Sequence, residues 1–246
     1  MKAFLATCKS EILLVVRGID TIFFGILFPI VTALFIGVLM GNRTVEEGTY
    51  TFIEQSFGAI VSISISATGL MGLPITIADY RQRRILKSYK ITPISPTLLL
   101  TVQCFINFLI TLFGLVGVWG VCKLFFNLNL QGRFLPFLGS YLLVFVATYS
   151  IGIFIASISP NIKIAGILCS AVYFPMILLS GATIPYEIMP GRLQNVINYI
   201  PMTQGIKLLK CTSLGLTNES LFMPILVLTV ISVLFTFVSI VFFKWE

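Results

Sequence analysis

The sequence predicts an all-α integral membrane protein of six transmembrane helices preceded by an N-terminal interfacial helix. Three observations predict it. Of 246 residues, 57% are hydrophobic and 10% charged, and the mean hydropathy is +1.03. Apolar runs of about 18 residues or more recur, each long enough to cross about 30 Å of hydrocarbon at about 1.5 Å per residue. The charges gather between these runs: five of the sixteen Lys and Arg residues lie in one island, from Asp79 to Pro96. A single domain over 1–246 is expected.

Residues 1–19 read as an interfacial helix. Phe4, Cys8, Ile12 and Val15 share one face, and Lys2, Lys9, Ser10 and Arg17 the other. Such a helix lies at headgroup level with its basic face toward anionic lipid; the alternative is a simple extension of the first span. Hydropathy then gives spans at 20–40, 56–78, 98–122, 134–158, 164–183 and 222–243. The first run is too long for a signal-peptide core and lacks a small-residue cleavage site, so it is read as a retained span.

An even number of spans puts both ends of the chain on one side. The segments 1–19, 79–97, 159–163 and 244–246 hold ten Lys and Arg in 46 residues; 41–55, 123–133 and 184–221 hold six in 64. The positive-inside bias therefore places both termini and the island in the cytoplasm.

Within the island, Ala78, Gln82, Ile85, Leu86 and Tyr89 recur at three- and four-residue spacing, with Arg81, Arg83, Arg84, Lys87 and Lys90 on the remaining faces. This predicts a short amphipathic helix over 79–91 that ends before Pro93. Pattern alone fits two settings: a groove on a partner with the charges around its rim, or a loop lying on anionic lipid. Between the fifth and sixth runs, 184–221 is punctuated by Pro185, Pro190 and Pro201. Helical patterns at Gly191–Tyr199 and Met202–Cys211 suit either a re-entrant helical hairpin or an ordinary extracellular loop.

Several function classes are excluded or weakened. There is no G-x-x-x-x-G-K-[ST] loop, no histidine and no paired carboxylates, which argues against an enzyme and against a bound metal. The net charge of +7 belongs to loops between spans, so nucleic-acid binding is not implied. The five cysteines form no CxxC pair; Cys104 and Cys169 fall in spans as apolar fillers, and Cys122 and Cys211 could face outward together. The spans lack ionisable residues away from their ends, which weighs against an ion-coupled carrier. What is left is a structural membrane protein or a transporter driven by a separate motor. Polar residues inside the spans include Ser62, Ser64, Ser66, Thr68, Gln103, Asn107, Tyr141, Tyr149 and Tyr173. They are either helix–helix glue or a substrate path; Ser62, Ser66, Asn107 and Tyr173 are the candidates for the path.

The island resembles the signature of ABC-2 type transporter permeases. That signature runs Arg, an acidic residue, Gly two further on, Leu-Lys, and after four more residues Thr-Pro and Ser-Pro. Arg81, Leu86, Lys87, Thr92, Pro93, Ser95 and Pro96 match, while Gln82 stands for the acid and Arg84 for the glycine. A second stretch, Ser180-Gly181, Ile184-Pro185, Met189-Pro190, Leu193-Gln194 and Ile200-Pro201-Met202-Thr203, is similar to the family's segment between its last two spans.

The resemblance implies half of a twelve-span exporter, paired with an identical or sister permease. Two cytoplasmic ABC ATPase subunits, which bind ATP and Mg, would drive it. It also implies an elbow helix over 1–19 and a coupling helix over 79–91. Arg81, Arg83, Arg84, Ile85, Leu86, Lys87, Tyr89 and Lys90 would meet the ATPase. A re-entrant pair over 184–211 would form an outer gate with Pro185, Pro190 and Pro201. The cargo expected is a drug, antibiotic or lipid-like amphipathic molecule. A lipid-linked polysaccharide exporter and a non-transporting membrane scaffold are the alternatives.

Overall fold

In the computed structural model, residues 2–40, 43, 50–85, 96–182, 190–216 and 220–242 are described. Their regular structure is helical. Six helices are long and apolar enough to cross a membrane: Phe23–Met40, Phe52–Gln82, Leu98–Phe126, Phe134–Ile158, Ile162–Leu179 and Phe222–Phe242, here the first to sixth spans.

The spans are not equivalent. In the second and fourth, 78% and 67% of the most apolar stretch is buried inside the chain, against 17% in the fifth and sixth. The second and fourth therefore form the centre. The sixth packs along the fourth, and the first lies on the second and third. The outward faces of the outer spans carry large apolar side chains such as Phe35, Phe174 and Phe237, as lipid-facing helices do.

Two spans contain a wide π turn. At Phe23–Leu27 and Ala67–Gly72 the hydrogen bonds reach back five residues, from Phe28 N–H to the Phe23 carbonyl and from Leu73 N–H to the Thr68 carbonyl. The cause lies just downstream. Pro29 and Pro74 lack an N–H, and a proline ring crowds the carbonyl four residues back. Four residues before Pro29 is Gly25, whose freed carbonyl accepts a bond from Ser64 Oγ at 2.7 Å. The first and second spans are thus joined where the first one loosens.

At these loosened turns the backbones approach closely. A Cβ on Gly114 of the third span would collide with the Gly25 carbonyl oxygen, and one on Gly152 of the fourth with the Gly69 carbonyl oxygen. Only glycine fits at such a crossing.

The N-terminal helix, Lys2–Arg17, packs against the third span through Phe4, Cys8 and Val15, which meet Val102, Ile106 and Ile110. The predicted apolar face needs one correction. Ile12 is exposed, with Leu5, Leu13 and Leu14, whereas Thr7 and Glu11 are buried. The docked face is thus rotated from the most apolar one, because it carries an acid that finds partners in the bundle.

Between the fifth and sixth spans lie two helices, Gly191–Ile197 and Pro201–Leu214. The second is about 21 Å long at about 1.5 Å per residue, too short to span. It is nonetheless buried among the second, fourth and sixth spans. Gly58 admits it closely, since a Cβ there would strike the backbone of Leu209 and Lys210. Cys122 and Cys211, weighed above as a pair, are both buried free thiols.

Candidate functional site: the root of the basic island

The predicted helix over 79–91 divides in the structure. Its first turn is the last turn of the second span, which continues through Gln82. The chain then turns at Arg83 and Arg84, and helical geometry resumes at Ile85. Arg84 has φ +59°, a left-handed conformation that costs a side-chain-bearing residue about 1–2 kcal/mol. This is the position where the permease signature carries glycine, and the backbone gives the physical reason. Arg84→Gly is expected to stabilise the turn by about 1 kcal/mol, read as a raised midpoint of thermal unfolding in detergent. An unchanged or lowered midpoint would contradict the strain. Leu86, Lys87, Tyr89 and Lys90 lie outside the described residues, so nothing is assigned to them here.

Arg81, expected on the rim of a partner groove, is instead buried. Its Nη1 donates to the Ala156 carbonyl at 2.9 Å and to the Ser159 carbonyl. These are carbonyls at the C-terminal end of the fourth span, where a helix has unpaired acceptors and partial negative charge. The cation is therefore held within the chain rather than offered to a partner. Arg83 behaves differently: it is exposed and pairs with Asp79, Nε to Oδ1 at 2.7 Å.

Gln82 faces the next element. Its Oε1 accepts a bond from Ile162 N–H at 3.2 Å, at the start of the fifth span. Asn161 caps the same helix, its Oδ1 accepting from Ile164 N–H at 2.9 Å.

Tyr80 points a third way. Its hydroxyl donates to Glu11 Oε2 at 2.6 Å, and Gln103 Nε2 of the third span donates to the same oxygen at 2.6 Å. Gln103 Nε2 also lies 3.5 Å from the Tyr80 hydroxyl. Glu11 is fully buried, and its other oxygen, Oε1, has no hydrogen-bond partner among the described residues. Burial pushes its carboxyl above the usual carboxylate range; the bonds from Tyr80 and Gln103 pull it back in part. A carboxyl raised by folding favours the folded state while protonated, and that contribution is lost as pH rises from 4.5 through its raised value. Glu11→Gln removes this dependence. Its stability relative to the native chain should therefore grow as pH rises above 4.5. Parallel pH profiles in thermal unfolding would contradict it.

Nothing in the local pattern singled out Glu11. The available signal was an acid four residues before Val15 and three after Cys8, on the face that docks.

The four candidate path residues lie inside the chain. Ser62, Ser66, Asn107 and Tyr173 are all buried. Asn107 Nδ2 bonds to the Gln103 carbonyl of its own helix at 2.9 Å, and Tyr173 packs with Ala67, Leu70 and Ile155. Other polar residues in the spans join helices: Tyr149 Oη donates to Thr68 Oγ1 and Tyr141 Oη to Thr111 Oγ1, each at 2.8 Å. Of the candidate gate prolines, Pro190 precedes the helix Gly191–Ile197 and Pro201 opens Pro201–Leu214, where a missing N–H costs nothing. Pro185 lies outside the described residues.

The comparison with curated proteins gave no match. The comparison with protein families did: the model described as ABC-2 type transporter matches residues 2–212. The match takes in the N-terminal helix, five spans, the island and all but the last two residues of the helix Pro201–Leu214. ATP binding in this family belongs to a separate ATPase, with which its permeases generally pair. With six membrane-length helices, the island at the end of the second span and a family match over most of its length, this chain belongs to the ABC-2 type transporter family and is a non-catalytic membrane permease.

Proposed function

We propose that the chain is the membrane-spanning subunit of an ATP-driven exporter in the plasma membrane, with both termini cytoplasmic, driven by a separate ATPase dimer. The cargo class is a drug, antibiotic or lipid-like amphipathic molecule. Two permease copies, identical or sister chains, would enclose the path, and the hairpin ending in Pro201–Leu214 would shape its outer gate.

One observation carries this reading. The basic island leaves the second span at a left-handed turn, from a root bonded to other helices through Tyr80, Arg81 and Gln82. So anchored a base suits a lever pushed from outside. Leu86 and Tyr89 supply its apolar contacts with the ATPase, and Arg84, Lys87 and Lys90 the rim; Ile85, expected among the apolar contacts, packs instead against Tyr80 and Leu99, and Arg83 pairs with Asp79. Arg81 is excluded from the rim by its burial. ATP binding closes the motor and displaces the lever, and the second and third spans move with it.

The test is co-purification with an ATPase bearing Walker motifs. Tyr89→Asp should weaken retention at least tenfold, about 1.4 kcal/mol, with the spans still folded. Native retention in that variant, or labelling of residues 81–90 from outside the cell, would overturn the proposal.

A further inference from the structure

Three consecutive side chains at the end of the second span bond to four different helices. Successive residues of a helix point about 100° apart, so three in a row can reach three surroundings. Tyr80 reaches Glu11 of the N-terminal helix, and Gln103 of the third span meets the same Glu11 oxygen. Arg81 reaches the end of the fourth span, and Gln82 the start of the fifth. Tyr80 and Arg81 are buried, and Glu11 is fully so. Leaving such buried bonds unmade is costly, and most so for the Arg81 cation.

Glu11 has a particular place in this arrangement. The second and third spans are the two that flank the island. One carboxylate oxygen, supplied by a helix outside both, receives a donor from each. It therefore sets how far apart the two ends of the lever's base can lie. Among the described residues its second oxygen finds no partner, and these two bonds offset the cost of burying it.

We propose that Tyr80, Arg81 and Gln82 form a distributor that passes the lever's displacement to the N-terminal helix and to the fourth–fifth turn, with Glu11 as the positioning residue that clasps the lever's two flanking spans together. This rests on the coupling role proposed above. The driven body is then larger than the second and third spans. The N-terminal helix rides with the lever, and the turn at Ser159–Ile162 is pulled with it, while the loosened turn at Ala67–Gly72 separates this lower body from the outer half of the second span.

The experiment uses the permease with its ATPase in lipid nanodiscs, with the five native cysteines replaced by alanine. Spin labels are placed in turn at Arg83, Lys9 and Lys163, each measured against a label at Leu135 on the opposite end of the fourth span. Distances are compared before and after trapping with ATP and vanadate. All three labels should shift together by about 2 Å or more. In Glu11→Leu the Lys9 shift should fall at least twofold while the Arg83 shift persists, and Glu11→Gln, which keeps an acceptor oxygen, should restore it. In Arg81→Gln the Lys163 shift should fall in the same way. A purely structural role would not separate the labels by variant or be rescued by glutamine.

A shift at Arg83 with Lys9 and Lys163 still in the native chain overturns the distributor and leaves the coupling role standing. So does a full Lys9 shift in Glu11→Leu. No shift at Arg83 overturns both. If Arg81→Gln does not assemble, the Glu11 pair decides alone.

Discussion

Gly152→Ala is expected to cost about 3 kcal/mol, because the added methyl meets a carbonyl that cannot move aside. The Gly69 carbonyl oxygen occupies the space a Cβ would need. Gly69 lies in the wide turn Ala67–Gly72, and the same crossing is fastened by Tyr149 Oη to Thr68 Oγ1. Moving the fourth span outward to admit the methyl would break that bond and open the centre of the bundle. A control exists in the same helix. A Cβ on Gly139 meets nothing within 4 Å, so Gly139→Ala should be neutral or stabilising by up to about 1 kcal/mol from helix propensity. Thermal unfolding of the two variants in detergent should separate them by several degrees. Equal midpoints would mean that the glycine–carbonyl approach does not hold the second and fourth spans together.

Arg81→Gln is expected to cost about 2–3 kcal/mol, the loss of a charge-assisted bond in a buried place. The Ala156 and Ser159 carbonyls lose their donor. The glutamine is too short to reach both. Arg81→Lys keeps the charge but not the planar fork, and should recover only part of the loss. The readout is local: amide hydrogen exchange over residues 159–162 should quicken in Arg81→Gln more than exchange near Tyr141, which Arg81 does not touch. Uniform quickening would point to general loosening, and unchanged exchange would remove Arg81 from the anchoring of that turn.

Helix existence was legible because hydropathy is a local property. A run such as Phe222–Phe242 can satisfy its backbone only within itself and can hide in lipid wherever its neighbours lie. The island was legible for the same reason, as an excess of charge where apolar residues stop. Its root was not. Arg81 and Arg83 look alike in a list of basic residues, yet one is buried against carbonyls and the other pairs with Asp79 at the surface. The difference depends on what a rotation of about 200°, two residues along a helix, brings each to face.

Pro29 and Pro74 were signals available in the sequence but unread. A proline inside an apolar run loosens the helix upstream of it, and the two wide turns lie there. What no local pattern contained was the partner of each freed or buried group. Ser64 for the Gly25 carbonyl is 39 positions away, and Tyr80 for Glu11 is 69 away.

The sequence by itself determined six membrane-length helices, a concentrated basic segment between the second and third, and membership of a permease family. These follow from composition along short windows, where each residue acts almost independently. Only the tertiary structure decided which polar residues join helices, that Glu11 lies buried with a donor from each of the second and third spans, and that Arg81 is bonded to the end of the fourth. Those outcomes depend on which faces meet at a crossing, and a buried polar group is tolerated only where its partner arrives from another helix.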